Sequence, residues 1–267
     1  MKNIKIKIKI TSLGTFLLAL LMMFTIFCSL TGCSLGEQNK KVIDENFYCK
    51  VIDENNIAIG NLKTYPESGA VFFPEQIENY TVSKLGFASG LGFGGNGYFS
   101  ASENGENRTI IKRCYFPHTI KEVSSDYMSL SGASLKIFYC GELIDLNCLD
   151  AQYRDTEIYV PAEKYDLFKN VLSEKYFGGS LLKANVSYYL NYDENNYYYI
   201  DYYENGEKIS YVPPIPQRDG YTFGGWYKEE ACINKCDFDI DVYEEQYDEN
   251  GQLIFNELKL YAKWVEK

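Results

Sequence analysis

The sequence predicts a mainly β chain with a few short helices, built as two modules behind a removable N-terminal segment. Three observations lead to that reading. Short β-type runs recur at near-regular spacing in the first part of the chain, with turn residues between them. A second group of strands, dense in Tyr, fills the last part. Composition shifts at the join: residues 33–185 hold 15 basic and 20 acidic residues, against 7 and 17 in residues 186–267. The divisions that follow are 1–32, 33–41, 42–185 and 186–267.

The first segment carries Lys2, Lys5, Lys7 and Lys9, no acid, and then an apolar run from about Ile10 to Leu30. A basic start ahead of an apolar stretch is the plan of an export signal. By length alone the run could also stay as a membrane helix, since about 20 apolar residues span a bilayer. Leu30-Thr31-Gly32-Cys33 separates the two readings, because it resembles a bacterial lipobox. Cys28 competes poorly because bulky Phe27 precedes it. The resemblance implies cleavage before Cys33 and acylation of that residue. The chain would then be lipid-anchored on the extracellular side of a bacterial cell membrane. Two acyl chains hold stably where one is marginal. Taking 32 residues from 267 leaves 235, and losing four Lys moves the net charge from -11 to -15. Residues 34–41 are polar and suit a tether.

In the first module Phe73-Pro74-Glu75-Gln76-Ile77 and Phe116-Pro117-His118-Thr119-Ile120 share the pattern F-P-x-x-I, and Val160-Pro161 follows at a similar interval. Around them lie the strand candidates Tyr80–Leu85, Thr109–Lys112, Leu135–Tyr139 and Glu157–Pro161. Residues 162–172 are apolar at Tyr165, Phe168 and Leu172, which marks one helix face. Evenly spaced short strands suggest a solenoid in which each unit covers its neighbour's core. The runs Phe116–Val123, Ser134–Gly141 and Ile158–Tyr165 resemble the BspA-type leucine-rich repeat family over roughly Val71–Val171. That likeness implies a degenerate solenoid, and Gly86–Asn107 departs from its pattern.

In the second module Val186–Tyr192, Tyr197–Tyr203 and Glu207–Val212 read as strands, with turns at 193–196 and 204–206. Asn205-Gly206 is a strong hairpin signal. Pro213-Pro214-Ile215-Pro216 lacks ladder donors and reads as a connector. Gly220-Tyr-Thr-Phe-Gly-Gly-Trp-Tyr227 and Leu260-Tyr-Ala-Lys-Trp264 resemble the internalin B-repeat, or Listeria–Bacteroides repeat, family. The likeness covers about Val186–Val265 and implies a small β-grasp-like module of the kind found on bacterial surface proteins. It places Gly220 and Gly225 in the motif. It also puts Tyr221, Phe223, Trp226, Phe238, Leu260, Tyr261 and Trp264 in the core.

The acidic balance excludes a nucleic-acid binder, which needs a basic face. One His among 267 residues leaves most hydrolase chemistries without their usual base. His118 has no nucleophile motif beside it and reads as a repeat-loop residue. Gly90–Gly95 spells G-x-G-x-x-G, but turn-rich sequence follows where a nucleotide fingerprint needs a helix. No catalytic residue, cofactor or metal site is expected. Asp-Glu-Asn recurs at 44–46, 53–55, 193–195 and 248–250, and reads as turns ahead of calcium loops. Cys49, Cys114, Cys140, Cys148, Cys232 and Cys236 read first as free thiols, then as a possible 232–236 bridge, and last as zinc ligands. Alternation along Tyr197–Tyr203 offers one face for solvent, making Tyr197, Tyr199 and Tyr203 a candidate contact face. The expected role is binding of a protein or glycan, with a structural spacer as the first rival and a glycan hydrolase as the second.

Overall fold

The computed structural model describes residues 42, 44–87, 99–100, 111–124, 128–129, 135–142, 144, 156–173, 180–192 and 197–267. Cys33, the tether, Gly90–Gly95, Cys148 and Asp193–Asn195 lie outside the described residues. Residues 41–267 form one compact unit.

The described chain is mostly strand. Its first part runs β1 (Phe47–Val51), β2 (Asn56–Leu62), β3 (Ala70–Phe72), β4 (Gln76–Ile77), β5 (Tyr80–Leu85) and β6 (Phe99–Ser100). There follow β7 (Arg113–Phe116), β8 (Glu122–Val123), β9 (Met128–Ser129), β10 (Leu135–Tyr139) and β11 (Thr156–Val160). Pro161 stops β11, and a single 3-10 turn at Ala162–Lys164 leads into helix α1 (Tyr165–Ser173). The last part holds β12 (Ser180–Lys183), β13 (Val186–Tyr189), β14 (Tyr197–Asp201), β15 (Tyr221–Tyr227), β16 (Gln246–Tyr247), β17 (Leu253–Ile254) and β18 (Leu258–Glu266).

Three sheets carry the architecture. The first has the order β1-β2-β5-β4, with β8 alongside β5. The second has the order β12-β11-β10-β7-β3, and every pair in it is parallel. The third has the order β14-β13-β18-β15, with β13 and β18 parallel and the outer pairs antiparallel. In the parallel sheet Arg113 pairs with Lys136, Leu135 with Thr156, and Glu157 with Ser180, so neighbouring positions recur every 21–23 residues. The stack breaks its interval once, where Ala70 pairs with Arg113 across a longer insertion.

Strand alternation explains how one parallel sheet serves two cores. Val71, Cys114, Ile137 and Ile158 point to one side and pack with Ile57, Ile59 and Val82 of the first sheet. Phe72, Tyr115, Phe138 and Tyr159, one residue on in each strand, point to the other side and pack with the third sheet. Phe73 and Phe116 of the two F-P-x-x-I runs are both buried in the first core, 5.0 Å apart and edge-to-face. Phe168 of α1 is buried against Tyr139 there, as the helix spacing predicts.

Two expected strands change. Of the candidate Thr109–Lys112, the first two positions lie outside the described residues, and the strand there begins at Arg113 instead. Glu207–Val212 makes only an isolated bridge, Lys208 to Val242. Its chain is held instead by Ile209 in the core and by the Tyr211 amide, which donates to the Tyr203 hydroxyl at 2.9 Å.

A bulge interrupts β15 against β18 between Phe223 and Trp226, at Gly224-Gly225. Gly225 has φ 112°, and a Cβ there would sit 2.7 Å from Lys235 Cε. Gly225→Ala should therefore lower stability by about 1–3 kcal/mol. Adding Lys235→Ala should recover only part of the loss, because trimming that side chain does not relieve the backbone. Thermal melting of the single and double variants checks this.

Candidate functional site

The most organised polar centre of the described chain lies between the parallel sheet and the third sheet. It starts from position: Arg113 and Tyr115 of β7 are two residues apart and share a face, and Asp201 closes β14 opposite them. Arg113 Nη1 donates to Asp201 Oδ1 at 2.5 Å and to the Tyr115 hydroxyl at 3.2 Å. The Tyr115 hydroxyl donates to Asp201 Oδ2 at 3.0 Å, and the Tyr202 amide donates to Oδ1 at 2.8 Å. Aromatic faces enclose the guanidinium, with Tyr211 at 4.3 Å, Phe138 at 5.3 Å and Tyr203 at 5.4 Å.

This ion pair is 8% and 0% exposed on its two side chains. Burial pushes the Asp201 carboxyl up to about 6, against the opposing pull of Arg113 and its hydrogen bonds. Burial likewise raises the Tyr115 hydroxyl well above its ordinary value, with Asp201 adding to the effect. A carboxylate held by a guanidinium, a phenol and an amide, walled by rings, is a fastening between sheets. It exposes no reacting atom.

An aromatic column runs beside it. Phe72, Tyr115, Phe138 and Tyr159 are in register on successive parallel strands. Their ring centroids are 4.1, 4.7 and 4.9 Å apart, all stacked, and Tyr202 continues the column at 5.0 Å. These intervals follow strand pitch, which is about 4.8 Å.

The tyrosines expected to form a solvent-facing row do not. Tyr197, Tyr199 and Tyr203 are 3%, 2% and 0% exposed. The reason is that β14 is covered on both faces. The Tyr199 hydroxyl donates to the Phe73 carbonyl at 2.8 Å across the sheet interface, while Tyr198 stacks on Trp226. Tyr203 is pinned by Asn185, whose side-chain amide donates to its carbonyl and accepts from its N–H. A different tyrosine pair lies half-buried on the third sheet: Tyr189 stacks on Tyr261 at 5.3 Å.

Of the repeat-motif residues, Trp226 and Leu260 are buried, and Phe223, Phe238 and Trp264 pack at the margin of the same core. Tyr261 is a correction. Alternation along β18 sends Leu260 and Ala262 inward, so Tyr261 faces outward. Tyr221 is half-buried, with the Arg218 guanidinium 3.9 Å above its ring. Gly220, at φ 78°, serves the turn into β15.

The Asp-Glu-Asn runs are turns where they are described. Asp44 Oδ1 accepts from the Asn46 and Phe47 amides, Asp53 Oδ1 from those of Asn55 and Asn56, and Asp248 Oδ1 from those of Asn250 and Gln252. Among the described residues no group of three or more His, Cys, Asp or Glu is placed to hold a metal ion. His118 Nδ1 lies 3.1 Å from Glu75, so equivalent third residues of the two F-P-x-x-I runs meet.

Cys49, Cys114, Cys140, Cys232 and Cys236 are free thiols. Burial pushes Cys49 and Cys236 up to about 12, and Cys114 and Cys140 are wholly enclosed. Of these five, Cys232 should be alkylated first in the native protein at neutral pH, since it is only partly covered and Cys49, which is also partly covered, has its thiol pushed up to about 12. Peptide mass spectrometry after brief labelling reads the order. The Tyr188 hydroxyl is buried with no hydrogen-bond partner among the described residues. Tyr188→Phe should therefore leave stability unchanged or raise it by about 1 kcal/mol, as chemical denaturation would measure.

Sequence reasoning does not single out Arg113 or Asp201. A signal does exist: each stands at the end of an otherwise apolar or aromatic strand, and Arg is rarer than Lys in this chain. Their pairing, 88 residues apart, is not readable.

Fold and site together define a β-rich protein whose last part is a mixed-sheet repeat module. Residues 188–263 match the family model of the Listeria-Bacteroides repeat domain, so the chain carries an internalin B-like repeat over that span. No curated protein and no solved structure matched the chain.

Proposed function

We propose that this chain is a lipid-anchored bacterial surface protein that binds a protein or glycan and catalyses nothing. The observation carrying that reading is the repeat domain at 188–263, a type associated with adhesion proteins. The lipobox resemblance at Cys33 supports attachment to the cell membrane, facing outward. Parallel strands recurring every 21–23 residues support a leucine-rich-repeat-like solenoid as the stand on which the repeat module sits. Parallel β13 and β18 support a β-grasp-like module. The Arg113–Asp201 fastening makes the two parts present their outer surfaces as one body.

Two measurements test it. Cys33→Ala should move the protein from the membrane fraction, and unchanged fractionation would defeat the anchor. A soluble 42–267 fragment should retain a specific surface protein or glycan. Retention of nothing would favour a spacer that only holds other surfaces away from the membrane.

A further inference from the structure

We infer that the edge made by β12 and the β16–β17 hairpin is a self-association surface, occupied by a second copy of this chain across a two-fold axis. Among the described residues β12 pairs only with β11, so its other edge offers unpaired N–H and C=O groups. Both cores run out at that edge. Leu181 packs on the first core and Leu182 on the second, yet each stays partly exposed. One strand earlier their counterparts, Ile158 and Tyr159, are 0% and 2% exposed. The last strand of such a stack leaves its apolar residues to be covered by something other than a further strand of the stack.

The cover is argued from what lies beside the edge. The Lys183 ammonium sits 5.1 Å from the Tyr165 ring and 5.5 Å from the Phe255 ring, so the β12 edge and the hairpin share one patch. Leu253 of that hairpin and Phe255, the residue after it, are 59% and 47% exposed. A two-fold axis sets such a patch against its own copy, so that the hairpin of one chain covers the β12 edge of the other and the reverse. Charge follows the same plan. The hairpin turn carries Asp248 and Glu249, while Lys169 and Lys183 beside the edge have no ion pair among the described residues. The two-fold sets the acidic turn of one copy against the lysines of the other.

The test uses the full chain purified in detergent, with sedimentation velocity over a wide concentration series. The wild type should show a reversible monomer–dimer equilibrium. Leu182→Arg and Phe255→Asp should each weaken it by at least about tenfold. Both residues are partly exposed, and circular dichroism confirms that the variants fold. Lys169→Glu with Lys183→Glu should weaken the dimer, as should Glu249→Lys, which leaves the turn bonds of Asp248 in place, and all three together should recover part of it. A wild type that stays monomeric, or a dimer indifferent to these changes, overturns the inference and leaves the edge to an extended segment of another protein.

Discussion

Asp201→Ala should lower stability by about 3–5 kcal/mol, because it strands a guanidinium in a closed aromatic box. Arg113 would keep the Tyr115 hydroxyl and the Tyr202 carbonyl as neutral acceptors, at 3.2 and 3.4 Å, and lose its counter-charge. Arg113→Met should cost a comparable amount for the mirror reason, leaving the carboxylate behind. The double variant separates pairing from packing. Replacing both charges with apolar groups removes the desolvation penalty along with the attraction, so Arg113→Met with Asp201→Leu should be much milder than the two losses summed. Urea unfolding of the three variants supplies the cycle. Additive losses would mean that the pair does not act as a unit.

Phe138→Ala should be at least as severe as the loss of a typical large core ring, about 3–5 kcal/mol. Phe138 is 1% exposed and stacks on Tyr115 on one side and Tyr159 on the other, while Arg113 lies over its face. Removing it opens the middle of the column and withdraws one wall from the ion pair. Phe138→Leu keeps much of the volume but not the stacking, so it should recover most of the loss and leave a remainder of about 1 kcal/mol from the ring contacts. Equal effects of Ala and Leu would argue that stacking, not filling, dominates there.

The sequence discloses the elements better than their neighbours. Tyr80–Leu85 and Leu135–Tyr139 are strands with the expected bounds, because each alternates apolar residues between turn signals. The Gly- and aromatic-rich piece at 220–227 carries no strand signal in the sequence, yet Tyr221–Tyr227 is a strand, with a bulge at its paired glycines. Burial of Tyr197, Tyr199 and Tyr203 is hidden for a physical reason. Period-two alternation tells which side a residue takes, but not whether a second sheet closes on that side. The Arg113–Asp201 centre is hidden for the same reason, since it exists only when strands 88 residues apart meet. Tyr261 shows the limit of reading a motif as a core list: it belongs to the motif and faces outward.

One feature of the third sheet bears on force. β13 opens that sheet and β18 closes it, and the two run parallel with Val186 beside Leu258 and Tyr189 beside Tyr261. Tension applied between the chain before Val186 and the chain after Glu266 pulls these strands along their length in opposite directions. Their hydrogen bonds are then loaded together in shear and must fail as a set, whereas an antiparallel hairpin pulled from its open end unzips bond by bond. A chain held on one side of this module and pulled on the other would thus meet cooperative mechanical resistance at the β13–β18 seam. Below that threshold it would stay folded under load.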